Sequence, residues 1–271
     1  YQVTLVAVDG PGLSTTAFLT VNVRSGKAFA RTGGSTDAAS CGDLTNPCAK
    51  ISDAVTRAVN QGLTDVLIAG AGPYDGFAMA NGISVTGGFD NDFQVPATPI
   101  ATVITKGSDG LATVGVTASG ISATTPPTKL KSISVDVTGT AAKATIGLWV
   151  NASTGLVVDG LTVVKATGRD ATGLLATGST VSISNSNINS GTAQGAGSSA
   201  YGVRAISGST VTVTSSTVTA SSGVAGTNGT DGSGGAAGCN GGNGGNSGGN
   251  GGVSCGGSGG ATSGAGGQGG K

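Results

Sequence analysis

From Thr64 onward the apolar positions of this chain come in short runs broken by Gly, Thr and Asn, without the spacing of a helix. One pattern recurs four times: Leu130-x-x-Ile133-x-Val135, Val158-x-x-Leu161-x-Val163, Ile183-x-x-Ser186-x-Ile188 and Val213-x-x-Ser216-x-Val218, at offsets of 28, 25 and 30 residues. A second register runs beside it as Gly147-Leu148-Trp149-Val150, Gly173-Leu174-Leu175-Ala176 and Gly202-Val203-Arg204-Ala205. Units of this length, each made of several short strands, cannot bury a face alone and must stack on their neighbours. Unequal offsets fit coils whose loops vary while their strands stay in register. The pattern therefore predicts an all-β fold, a right-handed parallel β-helix over 64–222, with strands at 66–69, 83–86 and 102–105 as narrower first coils.

Two other patterns precede it. Residues 1–24 alternate around a turn: Val3, Leu5 and Ala7, then Asp9-Gly10-Pro11-Gly12, then Ala17, Leu19, Val21 and Val23. Period-two alternation around a Gly/Pro turn predicts a β-hairpin. Residues 25–63 hold a polar stretch, the Cys41 and Cys48 loop and one amphipathic helix. Asn46 is the expected cap and Pro47 suits the first turn. Ile51, Ala54, Val55, Ala58 and Val59 form the apolar stripe, Asp53 and Arg57 lie four apart on the other face, and Gly62 ends the helix. A lone helix ahead of a run of strands is suited to cover the open end of a sheet.

The last segment, 223–271, has glycine at every third position from Gly223 to Gly244, and the frame slips by one residue after Ser247. A period of three matches a helix with three residues per turn. Collagen would also need abundant proline, and this segment has none. A flexible linker and a bundle of polyglycine-type helices remain. Cys239 and Cys255 each lie eight residues from Ser247. On a straight helix of this type their sulfurs would be about 50 Å apart, far beyond disulfide reach. A reversal at Ser247 brings them level, which favours an antiparallel hairpin stapled by Cys239–Cys255.

Composition narrows the function classes. Thirteen basic and thirteen acidic residues balance and there is no histidine, so no long-range field draws the chain to nucleic acid, and the commonest general base and transition-metal ligand is missing. No apolar run reaches membrane-spanning length, and no signal peptide is seen; a chain beginning at Tyr1 reads as a processed or partial product. Four cysteines in two local pairs, Cys41 with Cys48 and Cys239 with Cys255, read as two short-loop disulfides and imply an oxidising, extracellular or cell-surface location.

Several stretches resemble known families. Pro47-Cys48-Ala49-Lys50-Ile51-Ser52-Asp53-Ala54-Val55, Asp65-Val66-Leu67-Ile68-Ala69-Gly70 with Gly72-Pro73-Tyr74, and Ile83-Ser84-Val85-Thr86-Gly87-Gly88-Phe89-Asp90 run in the order of secreted bacterial β-helix proteins of the pectate-lyase-like superfamily. That resemblance covers 28–222 and implies the fold with its capping helix, without specifying an activity. Residues 1–24 look like the last two strands of a bacterial immunoglobulin-like domain. Three roles stay open for them: the end of a domain whose remainder lies upstream, a hairpin lying on the next domain, or strands completing a sheet in another molecule. The glycine-rich segment resembles the polyglycine bundle of snow flea antifreeze proteins and, more loosely, glycine-rich repeats of mycobacterial surface proteins.

Candidate chemistry is sparse. Enzymes that cleave polysaccharides on this fold use clustered carboxylates, calcium and an arginine or lysine base. Here Asp136 and Asp159 lie on successive coils near Lys131, Lys165, Arg169 and Asp170, but Asp136 follows Val135 and Asp159 follows Val158, so they share no ladder position. Asp90-Asn91-Asp92 offers oxygens to calcium or simply forms a turn. Trp149 is read as an outward-facing sugar contact, a loop-packing residue or an interface residue. Ser182, Ser184, Asn187 and Asn189, followed a turn later by Thr212, Thr214, Thr217 and Thr219, resemble an ice-binding face and equally suit ordinary exposed strands. The expected function is a non-enzymatic extracellular structural or surface protein without a cofactor. It would self-associate through Val3, Leu5, Leu19 and Val21, with Trp149 as a further interface residue. Polysaccharide binding or cleavage is the alternative and ice binding the lesser one.

Overall fold

A computed structural model describes residues 2–8, 14–20, 26–96 and 100–232. Its centre is a parallel β-solenoid with three sheets running along the axis. Sheet I holds Lys27–Ser35, Asp65–Ala69, Ser84–Phe89, Lys129–Lys131, Leu156–Asp159, Thr180–Ser184 and Thr210–Thr214. Sheet II holds Tyr74–Asp75, Thr102–Lys106, Ile133–Thr138, Thr162–Thr167, Asn187–Asn189 and Thr217–Thr219. Sheet III holds Phe77–Ala78, Ala112–Ser119, Ala144–Asn151, Arg169–Thr177 and Ala200–Ile206, and the short strand Ser108–Asp109 folds back antiparallel onto Ala112–Ser119. The early strands expected at 66–69, 83–86 and 102–105 are all present, within one to three residues at each end.

The two repeat registers stack as the spacing predicts. In sheet I, Ala28, Val66, Val85, Leu130, Val158, Ile183 and Val213 pair in succession, each beside the equivalent residue of the next coil. Sheet II stacks Tyr74, Ile104, Val135, Val163, Ile188 and Val218. Sheet III stacks Phe77, Val116, Leu148, Leu174 and Val203. These columns form one continuous core. Burying each Val, Leu or Ile side chain is worth about 1.5–3 kcal/mol, and a coil gains that only when its neighbour is in register. In the last coil the same positions open, with Val213 39% and Val218 42% exposed.

Where the chain turns from one sheet to the next, side chains replace the ladder hydrogen bonds. Between sheets III and I, Ser153 Oγ accepts from Ile121 N at 3.0 Å, Ser179 Oγ from Ser153 N at 3.1 Å and Ser209 Oγ from Ser179 N at 3.0 Å. Between sheets I and II, Ser186 Oγ accepts from Leu161 N at 3.1 Å and Ser216 Oγ from Ser186 N at 3.0 Å. Each serine thus satisfies a backbone donor of the preceding coil that would otherwise be lost inside the protein. The sharp turn between sheets I and II uses a left-handed residue in four coils: Ser132, Gly160, Asn185 and Ser215.

A column of glycines, Gly115, Gly147, Gly173 and Gly202, lies where sheet III meets the core. A Cβ on Gly147 would sit 2.6 Å from Gly173 O and 2.8 Å from Val163 Cγ1; on Gly173 it would sit 2.6 Å from both Gly202 O and Ile188 Cγ2. The opposing Val135, Val163, Ile188 and Val218 fill the space that a side chain would need.

The N-terminal end is closed by the helix Ile51–Gln61, which buries Ile51, Ala54, Val55 and Ala58 and ends at left-handed Gly62. Two details depart from expectation. Lys50, without a side-chain cap, precedes the helix, because Cys48 bridges to Ala30 and Ser35 and keeps the chain extended; Asn46 and Pro47 belong to the disulfide loop. Val59 faces outward, 52% exposed. Arg57 donates from Nη1 to Ala39 O at 3.1 Å instead of pairing with Asp53. Gln2–Val8 and Ser14–Thr20 pair antiparallel as a two-stranded sheet of their own, with Val3 opposite Leu19 and Leu5 opposite Ala17. The chain divides into two units, Tyr1–Thr227 and Asn228–Lys271. Residues 223–232 are exposed and carry no helix or strand; the rest of the glycine-rich segment lies outside the described residues.

Gly173→Ala should destabilise the fold by about 3 kcal/mol through overpacking. Gly226→Ala, whose Cβ meets nothing within 4 Å, should stay within about 0.5 kcal/mol of the parent. Urea midpoints of the two variants compare them directly.

Candidate functional site on the outer face of sheet III

A regular pleat sends residues three apart to opposite faces. Ile146 and Trp149 nevertheless line one hollow on the outside of sheet III, because the alternation breaks between them: a Cβ on Gly147 would meet core Val163, and Leu148 next to it is fully buried. The same arrangement recurs at Gly202, where a Cβ would meet Val218 and Val203 packs against the core, and the Arg204 guanidinium carbon lies 4.7 Å from the centre of the Tyr201 ring. The hollow is about 370 Å³ and is walled by Leu111, Val114, Thr117, Ile146, Trp149 and Leu175, with Gly110 and Ala112 at its edge. Leu111 is fully exposed at the turn that joins Ser108–Asp109 to Ala112–Ser119. Trp149 Nε1 is buried without a hydrogen-bond partner. The indole thus turns its N–H into the protein, and the part of the ring facing the hollow is carbon.

Trp149 pairs in register with Leu175, and Leu175 with Arg204. The face therefore runs from an apolar hollow to a cation stacked on an aromatic ring. The second repeat register already aligned Trp149, Leu175 and Arg204; Leu111 was not foreseeable, because only the tight turn at Gly110 brings it to the same wall. A second hollow of about 390 Å³ is lined by Gly87, Phe89, Val95, Ile100, Ser132 and Gly160, and the link from Val95 to Ile100 includes positions outside the described residues.

The candidate carboxylates do not converge. Asp136 lies on sheet II and pairs across coils with Lys165 at 3.3 Å; Asp159 lies on sheet I and pairs with Lys131 at 3.6 Å. In both cases the partners are register neighbours. The Asp159 carboxyl is held below the ordinary aspartate range, first by the Asn185 amide at 2.9 Å; burial, the next effect in size, opposes this, and Ser184 and the Lys131 charge lower it further. Asp170 Oδ1 accepts from Ser199 N, and Arg169 pairs in register with Ala144. Asp90 Oδ1 accepts from Asp92 N at 3.0 Å and Gln94 N at 2.7 Å, so this carboxylate holds its own turn. Among the described residues no three His, Cys, Asp or Glu side chains gather as a metal site.

Cys41 and Cys48 form a buried disulfide with Cα atoms 4.8 Å apart. Cys239, Cys255 and Val21 lie outside the described residues. Val3, Leu5 and Leu19 sit on the paired N-terminal strands. The polar array stacks Thr212 on Ser182 and Thr214 on Ser184, but one coil earlier the same columns hold Val157 and Asp159, so the array is two coils deep in sheet I. Among the described residues no helix is long and apolar enough to cross a membrane.

No family model, curated protein or solved structure matches this chain. The expected resemblance to secreted β-helix proteins is met at the level of a parallel β-solenoid.

Asp159→Ala should cost about 1 kcal/mol at neutral pH, no more than a solvent-screened pair and its hydrogen bonds carry. A lowered folded-state pKa stabilises the protein only while that carboxylate is ionised, so the difference from the parent should begin to shrink as the pH falls through about 4, the unfolded value, and disappear below the lowered folded one. Urea titrations at neutral and acid pH measure both.

Proposed function

We propose that this chain is a non-enzymatic extracellular structural or cell-surface protein of the secreted β-helix kind. The observation that carries the reading is the use of the strand carboxylates. Asp136 and Asp159 sit on different sheets, each neutralised by a lysine of a neighbouring coil. They brace coils together, whereas hydrolysis of a glycoside by the usual carboxylate pair needs two such groups around one bond. The Cys41–Cys48 disulfide supports an oxidising location. The single hollow with a tryptophan offers Thr117 as its one hydroxyl, a poor match to a polysaccharide, whose hydroxyls need partners. Self-assembly through the N-terminal strands is part of the proposal. Those strands form a two-stranded sheet that joins none of the solenoid sheets, and two strands alone are marginally stable in water.

Negative-stain electron microscopy of the purified chain tests this. Filaments that disappear on deletion of residues 1–24 are the expected result. Dispersed monomers at high concentration would contradict assembly, and depolymerisation of a uronate polysaccharide by the parent but not by Asp136→Asn would overturn the non-enzymatic reading.

A further inference from the structure

We propose that the outer face of sheet III binds a small amphipathic organic anion, its apolar body in the Trp149 hollow and its acid group on Arg204. The hollow, about 370 Å³, lies within the usual range for small-molecule sites of about 300–1,000 Å³. Its walls are hydrocarbon except for Thr117. Such a lining rewards an aromatic ring or alkyl body and leaves hydroxyl groups without partners. Leu111 stands fully exposed on one wall. An uncovered leucine beside an apolar concavity is stabilised by a ligand that spans both.

The cation fixes the sign of the ligand. Arg204 lies two strands from Trp149 in the same outward column, a separation of about 10 Å at ordinary strand spacing. Among the described residues it has no carboxylate partner, whereas Lys131 and Lys165 both have one. Its stacking on Tyr201 at 4.7 Å orients the planar guanidinium while its edge N–H groups stay available to a carboxylate or sulfonate. Hollow and cation together select a molecule with an apolar body about 10 Å from end to acid group, an estimate set by the strand spacing.

The chain has one tryptophan, so its emission reports on this hollow alone. Titration with 1-anilinonaphthalene-8-sulfonate, an aromatic sulfonate, should quench Trp149 emission saturably and sensitise the dye. Arg204→Gln should weaken binding about ten-fold, the loss of one charge-assisted contact of about 1.4 kcal/mol. Leu111→Asp, at a fully exposed position, should weaken it at least as much while circular dichroism stays that of the parent. The uncharged N-phenyl-1-naphthylamine should bind the parent and Arg204→Gln alike. Quenching that never saturates, or dye binding that Arg204→Gln leaves unchanged, would overturn the proposal, as would quenching only by a protein partner and not by the dye.

Discussion

Everything in this molecule depends on keeping successive coils in register. A slip of one residue would turn every inward side chain of a strand outward, so Val158 can be buried only if Leu130 lies beneath it and Ile183 above it. Apolar columns supply the energy. The glycine column supplies the room, since any side chain at Gly115, Gly147 or Gly173 would strike the backbone of the adjacent coil. Serines at the corners carry hydrogen bonding across the turns, where the strand ladders stop. Stability of this kind is a sum over neighbouring coils, and both ends are weak points. The helix and its disulfide loop cover the first end, while Val213 and Val218 of the last described coil remain partly exposed.

This architecture leaves the outer faces free to differ. On sheets I and II two ion pairs between neighbouring coils serve the stack itself, Lys131 with Asp159 and Lys165 with Asp136. On sheet III the outward column is not self-satisfied: it runs from Trp149 through Leu175 to Arg204. The glycine break that lets the strands approach the core also brings Ile146 beside Trp149. One backbone feature thus serves both packing and the formation of the hollow.

Much of the solenoid was legible because its signal is periodic. The repeat built on Leu130, Val158, Ile183 and Val213 predicted the pairing that the structure shows, since inward positions tolerate only apolar residues in a stack. Local capping chemistry was less reliable. Asn46-Pro47 has the composition of a helix start, but tertiary pairing of Cys48 with the first sheet I strand overrides it. Ser153 and Ser179 escaped notice because a serine bonded to another coil has no signature in its own neighbourhood. The hollow was half legible: Trp149 stood out alone, and its neighbours gather only through the fold.

Cysteine cross-linking across adjacent coils tests the register most directly. Ser182 and Thr212 are register partners on the outer face of sheet I, so their Cα atoms lie about 4.8 Å apart, within disulfide range. Ser182 and Thr214 are offset by two residues, at about 8 Å, beyond it. Ser182→Cys with Thr212→Cys should oxidise rapidly to an intramolecular disulfide, and Ser182→Cys with Thr214→Cys should not. Equal cross-linking of the two pairs, or preference for the offset pair, would contradict the stacked register on which this account rests.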